Sequence, residues 1–133
     1  MPSRSAPGHP VDFDAADLAA RLEQLTVEEI DALPFGVMHL DPEFRVLIYN
    51  KTEARLSGFG RQPVGELFFA LSVCMDSDEF RGRIERAMAD GRVDLEFGWV
   101  GDYADPRRDL RIRVQSADDG GVWLCIERDI RPG

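Results

Sequence analysis

Phe35-Gly-Val-Met-His-Leu40 and Arg45-Val-Leu-Ile-Tyr49 are two short apolar runs separated by Asp41-Pro42-Glu43. Aspartate and proline together favour a tight reversal, so the two runs read as strands of a β-hairpin. Everything around this hairpin must then pack on a sheet. Upstream, residues 12–33 read as two short helices, the first capped by Asp14 with Leu18, Leu22 and Leu25 on one stripe. In the second, Thr26 and Glu29 have capping-box spacing ahead of Ile30 and Leu33. Each has a single apolar stripe and must lie on something else.

Downstream, Asn50 to Phe69 breaks into short pieces around Gly58, Gly60, Pro63 and Gly65, a region of connecting turns and single-turn helices able to wrap a cavity. A longer helix is expected after Cys74, capped by Asp76 with Glu79 in capping-box spacing, carrying Phe80, Ile84, Ala87 and Met88 on one face and stopping at Gly91. Three strands follow, at Val93 to Val100, Leu110 to Gln115 and Val122 to Arg128, the last two joined by a turn at Asp118-Asp119-Gly120-Gly121. The economical solution is an α+β domain with a central five-stranded antiparallel sheet, flanking helices and a small N-terminal helical cap. The expected organisation is a disordered lead-in over residues 1–11, the cap over 12–33 and the core over 34–130.

Composition narrows the function. The 133 residues are 44% hydrophobic and 31% charged, a balance suited to one domain with a real core. A net charge of -9 argues against nucleic acid or an anionic membrane as partner, since both are polyanions. Two cysteines make no disulfide framework, no apolar run reaches the length of a membrane span, and Met-Pro-Ser-Arg-Ser-Ala-Pro-Gly-His-Pro has no apolar signal core. The expected location is the cytoplasm, as a monomer or weak dimer.

Two features carry chemistry. Cys74, just before an expected helix start, suits an acylation site, a redox thiol or a nucleophile, and equally a small buried apolar residue. Tyr49, Glu53 and Ser57 recur at four-residue spacing, so a helix beginning after Asn50 would turn them to one side. A solvated edge is the plain reading. The alternative is a half-buried phenol and carboxyl that need partners, an arrangement suited to stabilising a phenolate-like anion with a tyrosine O–H and a carboxylic acid kept protonated by burial.

Across about Asp12 to Arg128 the sequence resembles the photoactive yellow protein family, blue-light receptors with a PAS fold. The resemblance is carried by Leu33-Pro-Phe-Gly-Val-Met-His-Leu-Asp41, Leu47-Ile-Tyr-Asn-Lys-Thr-Glu-Ala-Arg-Leu-Ser-Gly58, Gly65-Glu-Leu-Phe-Phe69, Cys74-Met-Asp-Ser-Asp-Glu-Phe80 and Val122-Trp-Leu124. It implies a PAS-like fold and a p-coumaric acid (4-hydroxycinnamoyl) chromophore held covalently as a thioester on Cys74. Its phenolate would be held by Tyr49 and protonated Glu53, with Ser57 supporting Tyr49. The resemblance extends the site to Arg61 near the phenolate end and to Tyr103 on the far wall. It further implies trans–cis photoisomerisation, proton transfer from Glu53 and partial unfolding that signals to a downstream protein whose identity is unknown. No enzymatic activity is expected.

Other residues are assigned packing roles. Cys125 lies inside the last strand, Trp99 and Trp123 pack on the sheet, and Arg107, Arg108, Arg111 and Arg113 form a solvated face beside acidic neighbours. His9 and His39 do not make a metal pair, and no metal is expected. Two readings from other classes stand beside the photoreceptor: a chromophore-free PAS interaction or small-ligand-sensing module, and a thiol enzyme using Cys74 with His39 as base.

Overall fold

The computed structural model describes residues 11–101 and 105–128. The chain forms α1 (Leu18–Leu22), α2 (Val27–Asp31), β1 (Gly36–Leu40), β2 (Val46–Tyr49), α3 (Lys51–Leu56), α4 (Phe68–Leu71), α5 (Arg83–Ala89), β3 (Asp94–Val100), β4 (Asp109–Ser116) and β5 (Val122–Arg128). The strands make one antiparallel sheet in the order β2-β1-β5-β4-β3, which places the last strand between the first and fourth. The expected hairpin is β1–β2, with Met38 opposite Tyr49. Its turn is closed by Asp41, whose side chain accepts from the N–H groups of Glu43 and Arg45 at 2.9 Å each. The outer edge of β2 is covered by residues 65–67, with the Val46 N–H donating to Glu66 O and the Gly65 N–H to Val46 O, both at 2.8 Å.

Period-two alternation divides the sheet into two cores. Met38, Leu40, Leu110, Ile112, Val114, Val122, Leu124 and Ile126 face α4 and α5 and pack with Phe68, Phe69, Phe80 and Ile84. Val37, Trp123 and Cys125 face the opposite way and are covered by Val11, Phe13, Leu18, Leu22, Ile30 and Leu33 of the N-terminal cap. Val11, the last residue of the expected lead-in, is 4% exposed and part of the core; residues 1–10 lie outside the described residues, as do 129 and 130 at the far end of the expected core.

Polar clasps hold the cap. Arg113 Nη1 donates to Phe13 O at 2.6 Å and to Ala15 O at 2.7 Å, so this arginine is a cap anchor rather than part of a solvated face. Glu23 Oε2 accepts from Trp123 Nε1 at 2.9 Å and from the Asp118 N–H at 2.8 Å. Arg111 does lie on an acidic surface, paired with Asp14, Glu96 and Glu127.

The Thr26–Glu29 capping box forms as expected. Two expected caps do not. Asp14 is committed to Arg111, and α1 starts after Asp17 with no side-chain cap bond. The segment after Cys74 is divided: Val73–Met75 is a separate 3₁₀ turn, Ser77 accepts from the Phe80 N–H at 3.3 Å, and a π-helical turn over Asp78–Gly82 precedes α5. Asp76 is instead ion-paired to Arg81 at 3.0 Å. No helix among the described residues is long and apolar enough to cross a membrane.

Candidate functional site

The site is built on the junction of β2 and α3. Asn50, 1% exposed, ends the strand and starts the helix. Its Oδ1 accepts from the Glu53 N–H at 2.9 Å and the Val37 N–H at 3.0 Å, while Nδ2 donates to Ile30 O at 2.8 Å and Phe35 O at 3.1 Å. Thr52 Oγ1 donates to Leu33 O at 2.6 Å. One buried amide therefore ties α3 to β1 and to the cap, which fixes the direction of the helix and of every side chain on it. Tyr49, Glu53 and Ser57 are all buried, at 7%, 3% and 4% exposure, so the solvated-edge reading is excluded.

Those three residues line a cavity of about 480 Å³, within the usual range for a small-molecule site. Met38, Leu110 and Ile126 of the sheet and Phe59, Phe68 and Leu71 of the connecting segments give it apolar walls. Val73 and Cys74 form its exposed rim, with Val73 72% exposed. Cys74 is thus neither core nor a helix-start residue: it sits in its own 3₁₀ turn, three residues ahead of the Ser77 cap. Cys125 is 1% exposed on the other side of the sheet, and burial pushes its thiol pKa well up.

The inner end of the cavity holds a charge pair. Arg128 Nη1 and Nη2 each donate at 2.8 Å to the two carboxylate oxygens of Glu53, and the side chains are 1% and 4% exposed. A guanidinium gripping both oxygens stabilises the ionised carboxylate. Burial alone was expected to govern the Glu53 carboxyl; the structure adds a charged partner, Arg128, on both of its oxygens. Gly36 makes room for the pair: a Cβ there would strike Glu53 Oε1.

Arg61 does not line the cavity, although it is near enough to Tyr49 to interact with it electrostatically. Its guanidinium pairs with both Glu66 oxygens, at 2.6 and 3.2 Å, and lies 4.8 Å from the centroid of the Phe59 ring, while Phe59 itself lines the cavity. Tyr103 lies outside the described residues, although Gly101 reaches the cavity wall. Sequence reasoning missed Arg128, Asn50, Thr52 and Gly36. For Arg128 a signal existed: it shares the parity of Val122, Leu124 and Ile126, so the strand that points those residues into the core points the arginine there too. Among the described residues no group of three or more His, Cys, Asp or Glu is placed to hold a metal.

The donor set fits an elongated aromatic acyl group with a ring hydroxyl. It offers a nucleophilic thiol at the open rim, apolar flanks, and a phenol, a carboxylate and a guanidinium at the buried end.

No family model matches the chain. Its similarity to individual proteins is extensive. It is 30% identical over 121 residues to a photoactive yellow protein from Rhodothalassium salexigens, covering 89% of this chain and 97% of that one. It is 29% identical over 123 residues to another from Halochromatium salexigens, with the same coverage of 89% and 97%. Among solved structures, the photoactive yellow protein domain of the sensor histidine kinase Ppr from Rhodospirillum centenum superposes with a TM-score of 0.69 at 29% identity, covering 80% of this chain and 96% of that one. The five-stranded antiparallel sheet with its flanking helices is thus the PAS-like fold of that neighbour. Identity sustained across nearly the full length of both sequences reflects common descent of the whole domain, and the chain belongs to the photoactive yellow protein family.

Proposed function

We propose that the chain is a photoreceptor module carrying a p-coumaroyl (4-hydroxycinnamoyl) group as a thioester on Cys74. The observation that supports this reading is one cavity lined at its rim by an exposed thiol and at its buried end by Tyr49, Glu53 and Ser57. When bound, such a group supplies a conjugated double bond that light isomerises between trans and cis. The chain's residues do the rest. Cys74 Sγ, as thiolate, attacks the carbonyl carbon of an activated acyl donor; the C–S bond forms as the donor's leaving group departs with its bonding electrons, and the thiol proton goes to solvent. The Tyr49 hydroxyl would hold the ring oxygen, with Ser57 beside it, while Phe59, Phe68 and Leu71 exclude water.

Glu53 is the ionisable acid at that end, and a change in its charge or pairing is costly in a buried site, so the domain relaxes until the charge is re-solvated. The cap over residues 12–33, resting on the opposite face of the core 34–130, is the element placed to release and to present Leu18, Leu22 and Leu25 to a downstream signalling protein. A reducing compartment such as the cytoplasm suits the free thiol that loading requires.

The test is acylation with activated p-coumaric acid, followed by intact-mass and peptide analysis. Wild type and Cys125→Ser should gain one cinnamoyl group, and Cys74→Ala none. Acylation that persists in Cys74→Ala and vanishes in Cys125→Ser would overturn the assignment.

A further inference from the structure

The sheet ends in β2 on one side and β3 on the other. The β2 edge is covered by residues 65–67, but among the described residues no segment pairs with the outer side of β3. The ladder to β4 fixes which backbone groups of β3 point outward. The Gly101 N–H donates to Arg108 O at 2.9 Å and the Ser116 N–H to Val93 O at 3.0 Å, so Val93 and Gly101 turn their polar groups toward β4. By alternation Leu95, Phe97 and Trp99 do the same, while Asp94, Glu96, Gly98 and Val100 direct their N–H and C=O groups away from the sheet. All four are exposed, Val100 at 64%. An open edge of this kind is a template for another strand.

Which strand fits follows from the side chains. Leu95 and Trp99 are half-buried at the margin of the core, beside the buried Phe97. On the opposite face Asp94 and Glu96 carry charge, and Gly98 leaves open space, since a Cβ there would meet nothing within 4 Å. A second β3, antiparallel about a two-fold axis at Phe97, matches this pattern position by position. The outward groups then pair Asp94 with the partner's Val100 and Glu96 with the partner's Gly98, so neither acid faces an acid. Leu95 meets the partner's Trp99 in a close, non-hydrogen-bonded pair, which continues the apolar core across the junction. Gly98 lies directly opposite Arg111 of β4, so the partner's Glu96 approaches a guanidinium across the missing side chain. Moving the axis by one residue spoils the match: at Glu96 two carboxylates oppose each other, and at Gly98 both Asp94 and Leu95 lose their counterparts within the strand.

We propose that β3 is a self-association surface, through which two copies of this chain join their sheets edge to edge in an antiparallel register centred on Phe97. The net charge of -9 on each copy opposes the approach. At physiological ionic strength that repulsion is screened beyond about 8 Å, whereas the strand contact acts at hydrogen-bond distance. The contact is one strand wide, so the dimer is weak and concentration-dependent. It needs no group on Cys74 and stands apart from the photoreceptor reading.

The full chain, kept reduced so that no disulfide through the exposed Cys74 can link two copies, is followed by analytical ultracentrifugation and by amide exchange in nuclear magnetic resonance up to millimolar concentration. Wild type should pass from monomer to dimer as concentration rises. The amides of Glu96, Gly98 and Val100 should gain protection in step, while those of Leu95, Phe97 and Trp99 are protected throughout. Gly98→Glu fits the open space of the monomer but sets a carboxylate against the partner's Glu96 at two symmetric places in the dimer, and should weaken association at least about tenfold. Adding Glu96→Lys to that variant sets a lysine against each new carboxylate and should restore association. Protection of the β5 amides reports that each variant is folded. A wild type that stays monomeric, a dimer in which Glu96, Gly98 and Val100 exchange as in the monomer, a Gly98→Glu variant that associates as tightly as wild type, or a double variant no better than Gly98→Glu would each overturn the proposal. The first of these would leave the edge to a strand from a different protein. Should Gly98→Glu fail to fold, the concentration dependence of the wild-type amides still decides it.

Discussion

Replacing Arg113 with methionine keeps the apolar stem of the side chain and removes the clasp between the cap and the sheet. The lost bonds are those from Nη1 to Phe13 O, 2.6 Å, and to Ala15 O, 2.7 Å. A hydrogen bond from a charged donor contributes about 1.5–3 kcal/mol, but the carbonyls lie on a segment that can recover water, so the combined loss is about 2 kcal/mol. Other ties remain: Gln115 Oε1 accepts from the Ala19 N–H at 2.8 Å, Gln115 Nε2 donates to Ala16 O at 3.0 Å, and Phe13, Leu18 and Leu22 stay buried. The cap should therefore open more often without carrying the sheet with it. A loss of about 2 kcal/mol in opening free energy is roughly a 30-fold rise in amide exchange, read by mass spectrometry across residues 11–22. Amides of β5, paired on both sides by β1 and β4, should keep their rates. In protein loaded on Cys74, illumination should raise exchange in residues 12–33 and around Asn50 to Gly58, and Arg113→Met should bring part of that rise into the dark. A uniform rise including β5, or no change at Ala19 and Leu22, would refute the cap as an independently opening element.

Gly36→Ala should displace Glu53 from Arg128, because the new Cβ enters the place of the carboxylate, and breaking a buried pair costs about 3–5 kcal/mol; a loss under about 1 kcal/mol in urea unfolding would mean that the carboxyl has a second seat. Phe80→Ala should cost about 3–5 kcal/mol, since this fully buried ring packs against Phe69, Phe97 and Trp99, and calorimetry would measure it. Burial opposes charge on Glu23, but hydrogen bonds from Trp123 and Asp118 outweigh it and hold its carboxyl below the ordinary 4.5. A pKa lowered by folding contributes stability above the unfolded value and loses it as pH falls through the folded one. Glu23→Gln should therefore flatten the acid side of the stability curve below pH 4.5, although Asp118, raised by the neighbouring Glu23, offsets part of the effect. Parallel curves for wild type and variant would exclude Glu23 as a contributor.

The sequence by itself determined the five strands and singled out Tyr49, Glu53, Ser57 and Cys74, which line one cavity. Alternation in β1, β2, β4 and β5, the turn chemistry at Asp41-Pro42-Glu43, and the Thr26–Glu29 box are local signals, written in consecutive residues and independent of what lies across the fold. The four-residue spacing of Tyr49, Glu53 and Ser57 is of the same kind, and their burial on one cavity follows from it once α3 begins at Asn50. Only the tertiary structure decided which charges meet. Arg128 and Glu53 are 75 positions apart, and their pairing exists because β5 inserts beside β1 and because Gly36 has no side chain to block it. The caps at Asp14 and Asp76 failed for the same reason: each carboxylate found an arginine elsewhere, Arg111 across the sheet and Arg81 along the chain. Partners for a charged side chain are chosen by proximity in space, and in this protein that choice gives the acid lining the cavity an arginine partner.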